Sequence, residues 1–116
     1  MGLRQGCTPG FWRQPQNFDE WIPTGFDPND SFNTTFDRNA FNPDITLEDA
    51  LNLGGGMLNA LARASVAALL NAAHPDVNYP LTENQVISMF QDAFDSGEFE
   101  ETALFFDELN NLGCPL

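Results

Sequence analysis

The sequence predicts an all-α protein, a small bundle of about four helices around a central buried helix over residues 57–73. Two observations carry that prediction. The first is the 57–73 stretch itself, dominated by alanine and leucine, both strong helix formers. Gly54-Gly55-Gly56 precedes it and His74-Pro75 closes it, so its limits are legible. Its polar side chains are Asn59, Arg63, Ser65 and Asn71, and a helix apolar almost all round belongs in the interior. The second is a set of flanking segments with helical apolar spacing and readable caps.

The chain of 116 residues reads as a single domain over 1–116, with an irregular aromatic wrap at 1–45 and a helical core at 46–113. In the wrap, Thr8 followed by Pro9 is a helix start, with Thr as N-cap and Pro at the first helical position. Gly10 and Pro15 limit it to a short turn through Gln14. A second short turn over 17–22 is expected to stop at Pro23. Phe26, Phe32, Phe36 and Phe41 then recur at neither a strand period nor a sustained helix period. They predict a loop pinned by phenylalanines plugged into the helical body, with a helical turn around 31–37.

In the core, Thr46 caps a short helix whose apolar face is Leu47, Ala50, Leu51 and Leu53. The three glycines break it ahead of the central helix. Thr82 and Gln85 form a capping box for a helix with a stripe of Val86, Ile87, Met89, Phe90, Ala93 and Phe94. Gly97 ends that helix, and the last one spans about 98–111. Ala103, Phe106 and Leu109 mark its buried face with Phe99, and Leu104, Phe105 and Leu112 are expected to widen that face.

Charge narrows the function. Seventeen acidic residues face four basic ones, all arginine, for a net charge of −13. Such a surface repels phosphate backbones and anionic membranes, so nucleic-acid partners and membrane-surface binding are disfavoured. No apolar run reaches the ~20 residues of a membrane span. The opening Met1-Gly-Leu-Arg-Gln-Gly lacks the apolar core of a signal peptide, and Gly6 stands where a myristoylation motif needs Ser or Thr. Phosphate-loop, HExxH and GxSxG motifs are absent from the sequence.

Several residues invite a role. Cys7 and Cys114 admit an intramolecular disulfide, two free thiols, or bridges to other chains. The intramolecular bridge is favoured because domain termini often lie close together, and it implies an oxidising setting. Trp12, Trp21 and Phe26 are candidates for a sugar-stacking face. Asp27, Asp30 and Asp37 are candidates for an irregular Ca²⁺ site. They do not make an EF-hand, because Phe32 and Arg38 occupy the positions of its Gly and Glu. Arg63, inside the most apolar helix, is expected to take a carboxylate partner in a structural ion pair, from Asp49, Asp92, Asp95, Asp107 or Glu108. His74, the single histidine, reads as a helix C-terminal residue favourable to the macrodipole.

The two ends together are distinctive. Cys7-Thr-Pro-Gly-Phe-Trp-Arg-Gln, then Phe18 and Trp21, the glycine triplet, the alanine-rich helix and Gly113-Cys-Pro-Leu resemble an uncharacterised module of secreted microbial proteins. Its hallmarks are a Cys-Thr-Pro-Gly-aromatic-Trp opening and a Gly-Cys-Pro-Leu ending, and the likeness covers nearly the whole chain. Arg13 stands where that module usually has Lys. The resemblance implies an extracellular location and paired cysteines, and it carries over no catalytic residue.

The functional expectation is therefore a non-enzymatic extracellular module for adhesion, matrix or surface assembly, with a protein partner or self-assembly. A carbohydrate- or calcium-binding module is the first alternative, and a small Asp/Glu-dependent hydrolase the second. No cofactor is required by the first reading; Ca²⁺ belongs to its alternative.

Overall fold

The computed structural model describes residues 3–116. Within them the chain forms α1 (Pro9–Trp12), a 3-10 helix (Pro15–Thr24), α2 (Phe32–Phe36), α3 (Leu47–Leu51), α4 (Leu58–Ala73), α5 (Glu83–Ser96) and α6 (Phe99–Asn110). Extended strands are absent among the described residues, where only two isolated bridges occur, Gly6 with Gly113 and Ser31 with Thr46. The all-α class is as expected. The four expected helices are α3 to α6, and the wrap adds α1, the 3-10 helix and α2 as short elements. Met1 and Gly2, part of the opening weighed as a targeting signal, lie outside the described residues.

Helix α4 is central because almost every side of it is apolar. Leu61, Ala62, Val66, Ala67, Leu69 and Leu70 are fully buried. It packs on α5, α6 and α3, and on α1 and the 3-10 helix. Its alanines let neighbouring backbones come close while leucines fill the remaining space.

The flanking helices start where their caps say. The hydroxyls of Thr46 and Thr82 accept from the backbone N–H of Asp49 and Gln85, and both capping boxes are complete. Gly97 closes α5 in the left-handed conformation, φ 77°. Helix α4 begins one residue later than the sequence suggested. Met57 sits before it at φ 58°, ψ −134°, which a non-glycine residue rarely adopts.

In the aromatic segment, the expected turn around 31–37 is α2, and its phenylalanines are buried. The 3-10 helix runs through Pro23 rather than stopping there, and Gly25 then terminates it. Phe32 and Phe36 are fully buried on α2; their rings stack at 4.6 Å, and both contact the Phe90 ring on α5. The backbone is tied to α3 through Phe32 N–H to Ile45 O and Leu47 N–H to Asp30 O.

The two ends meet. Gly6 N–H donates to Gly113 O, and Cys7 and Cys114 form a disulfide. Gly6 is required there: a Cβ would lie 2.1 Å from the carbonyl oxygen of Leu109. Of the three cysteine arrangements the sequence left open, the intramolecular one is present.

Candidate functional site

The tryptophans proposed as a binding face are interior. Trp12 is 0% and Trp21 1% exposed. The Trp12 indole N–H donates to Asn71 Oδ1, and the Trp21 indole N–H to Trp12 O. Their rings meet edge to face at 6.3 Å. The sugar-stacking expectation for Trp12 and Trp21 is thus corrected: both ring faces are covered by the core and both N–H groups are satisfied. Phe26 is half-buried against the same core.

The acidic candidates serve local structure. Asp27 Oδ1 accepts from Asn29 N–H, and Asp30 Oδ2 accepts from Asp27 N–H. Asp37 caps α2 in the left-handed conformation, φ 53°. Among the described residues, no three His, Cys, Asp or Glu side chains are grouped to hold a metal ion. Asp44, by contrast, accepts from the Ser31 hydroxyl and from the backbone N–H of Asn33 and Ile45. Partial desolvation raises its pKa, but these three donors outweigh it and hold the carboxyl below its ordinary value.

Arg63 also corrects an expectation. Its Nη1 donates to the backbone oxygens of Leu53 at 2.6 Å and Gly55 at 3.2 Å, with no carboxylate within salt-bridge distance among the described residues. The glycine turn after α3 leaves carbonyls facing α4, and Asn59, one helical turn before Arg63, takes Gly54 O in the same way. Arg63 is therefore a clamp on the turn. Desolvation holds the Asp107 carboxyl above its ordinary pKa, and the Arg63 charge offsets this only in part. The ion pair that does join two elements is elsewhere: Arg38 grips Asp95 of α5 through Nε and Nη2, both at 2.9 Å.

His74 is nearly buried and locked. Its Nδ1 accepts from Asp76 N–H at 3.1 Å, which leaves Nε2 to carry the proton toward Glu20 Oε1 at 3.0 Å. These contacts join the end of α4 to the 3-10 helix. Its hydrogen bonds engage neither serine nor threonine, so it does not form a nucleophilic pair.

A polar network went unnoticed in the sequence. Buried Asn71 accepts from Cys7 N–H and Trp12 Nε1–H, and donates to Cys7 O and Asn110 Oδ1. Asn110 donates to Ala64 O and accepts from the Tyr79 hydroxyl. Burial, with Asp107's charge adding to it, pushes the Tyr79 phenol up, so it remains a donor. These groups join the N-terminal segment to α4 and α6. The only hint in the sequence was Asn71 itself, a polar residue in the last turn of an apolar helix.

The surface feature that stands out is on α6. Leu104 and Phe105 were expected to widen the buried face, yet they are 57% and 39% exposed. The reason is geometric. At 100° per residue they lie roughly 130° to either side of the Ala103–Phe106–Asn110 face. One depression there has Met57, Phe99 and Leu104 as apolar lining, with Glu98, Glu100 and Glu101 beside them. An adjoining one shares Leu104 and Glu101 and adds Met89, Phe105 and Glu108. Together they form an apolar groove with an acidic border.

No described helix is long and apolar enough to cross a membrane. Comparison with protein-family models, curated proteins and solved structures returned no match.

Proposed function

We propose that this protein is a non-enzymatic extracellular interaction module that engages a partner through the α6 groove. The observation that carries the reading is the exposed apolar strip along α6, whose inner face already satisfies the core. Exposed apolar surface rimmed by polar groups is a feature of many interaction sites. The disulfide supports an oxidising, secreted location. Burial of Trp12 and Trp21 weighs against a sugar-stacking role.

The reading is tested on an array of extracellular matrix polymers and secreted or surface proteins, probed with the oxidised protein and its Leu104→Glu variant. Retention by at least one partner that Leu104→Glu abolishes is expected. If every retained partner binds the two forms equally, the groove is not the functional surface.

A further inference from the structure

The chemistry of the groove restricts what can fill it. Its apolar lining is bordered by four glutamates, and none of the lining residues is basic. The whole chain has no lysine and a net charge of −13. A second copy would set these glutamates against their own counterparts and bring two strongly acidic molecules together, so self-docking on this face is opposed electrostatically. Nucleic acids and anionic lipid are opposed for the same reason. A cationic ligand with apolar anchors satisfies both the lining and the rim.

Met57 supplies an independent observation. It is 73% exposed and lines the groove, yet its backbone holds φ 58°, ψ −134°. Glycine adopts that conformation without penalty, and three glycines stand immediately before it. A methionine kept exposed in a conformation suited to glycine stabilises nothing in the core. Its flexible, polarizable side chain suits an adaptable apolar contact, as does that of Met89 on the other side of Leu104.

We propose that the groove receives a cationic amphipathic helical segment of a partner protein. Its apolar stripe lies on Met57, Leu104 and Phe105, and its lysines or arginines lie on Glu98, Glu101 and Glu108. This rests on the interaction-module reading above and names the partner's chemistry.

The probe is a synthetic amphipathic peptide of about 18 residues with leucines at helical spacing and lysines elsewhere. Its counterpart replaces every lysine with glutamate. Titration is followed by calorimetry and by backbone amide shifts of the labelled protein. The lysine peptide is expected to bind, with shifts centred on 97–108 and around Met57 and Met89. Affinity falls about tenfold or more in Leu104→Glu and in Glu101→Lys. Met57→Gly weakens binding while leaving thermal stability unchanged or raised, which separates a docking role from a structural one. Ile22→Glu, exposed on another element, changes nothing.

Shifts scattered over the acidic surface, with equal affinity in Leu104→Glu, would overturn the proposal. So would equal binding of the glutamate peptide to the groove, or a concentration-dependent dimer abolished by Leu104→Glu. If the lysine peptide fails while the array still returns a groove-dependent partner, the partner's chemistry is wrong and the interaction-module reading stands. If both fail, both are wrong.

Discussion

Replacing Asn71 tests whether the buried network holds the N-terminal segment of the chain to the bundle. Asn71→Leu keeps the side chain's approximate shape and removes its amide. Three groups lose their partner: Cys7 N–H, Cys7 C=O and Trp12 Nε1–H. Asn110 Oδ1 retains the Tyr79 hydroxyl at 2.8 Å. Each orphaned group costs roughly 1–3 kcal/mol, while burying the leucine returns about 2 kcal/mol. The net loss centres near ~4 kcal/mol, a large share of the roughly 5–15 kcal/mol typical of a domain. Urea unfolding at neutral pH without reductant, followed by fluorescence of the buried tryptophans, should show the midpoint falling by about 2 M for a slope near ~2 kcal/mol/M. A fall below about 0.5 M at unchanged slope would show that the network contributes little.

Asn71→Asp sharpens the same test. One carboxylate oxygen can still accept from Cys7 N–H and Trp12 Nε1–H, but the other faces two acceptors, Cys7 O and Asn110 Oδ1. The charged form is therefore disfavoured in the fold, and the introduced carboxyl has its folded-state pKa raised above the unfolded value. Stability relative to wild type is best preserved below the ordinary carboxyl pKa of about 4 and is lost as pH rises through the interval up to the raised value. The deficit of Asn71→Asp should thus grow from acid to neutral pH, whereas that of Asn71→Leu should stay flat. A pH-independent deficit in both would refute the assigned hydrogen-bond directions.

Other perturbations address the remaining supports. Removing the disulfide as Cys7→Ala with Cys114→Ala opens a loop with sequence separation 107. The chain-entropy model gives a loss of up to about 5 kcal/mol, read as a lower urea midpoint; a loss under about 1 kcal/mol would show that the closed ends add little. Gly6→Ala drives a methyl into the Leu109 carbonyl and should cost about 2 kcal/mol or more in thermal unfolding; an unchanged Tm would contradict the close approach. Ser65 Oγ is buried without a hydrogen-bond partner among the described residues, so Ser65→Ala should stabilise by about 0.5–1 kcal/mol, and a destabilised variant would reveal a partner for that hydroxyl. Asp44 has a depressed folded-state pKa, so its contribution is present above the ordinary carboxyl value and disappears as pH falls through the depressed one. Asp44→Asn should therefore be less stable than wild type at neutral pH and converge with it in acid.

The helices were legible because their signals are local. Thr46, Thr82 and Gly97 act on groups within a few residues, and each does so in the fold. The alanine-rich stretch announced its own burial. The wrap was harder to read, because Phe32 and Phe36 owe their burial to Phe90, far along the chain. Partner choice was least legible. Arg63 was matched to a carboxylate on charge alone, yet the carbonyls exposed by the glycine turn lay closer to hand. Trp12 and Trp21 fit a core or a binding surface in sequence, because aromatic residues serve both; only the three-dimensional closure of the ends decides between them.

Helix α6 shows why the exposed apolar surface is hard to locate from sequence. Its sequence is apolar on more than one side, and a single apolar arc was taken to mean a single buried face. Phe106 and Asn110 on the inner side anchor it, Phe106 in the apolar core and Asn110 through the network reaching α4 and Tyr79. That anchorage leaves the fold no need to bury Leu104 or Phe105. Exposed positions without core partners contribute little to stability, commonly within about 0.5 kcal/mol. A charge placed at Leu104 should accordingly be felt by a ligand and hardly by the fold. On the proposed reading, docking and folding use different faces of one helix, while the network and the disulfide hold the bundle closed.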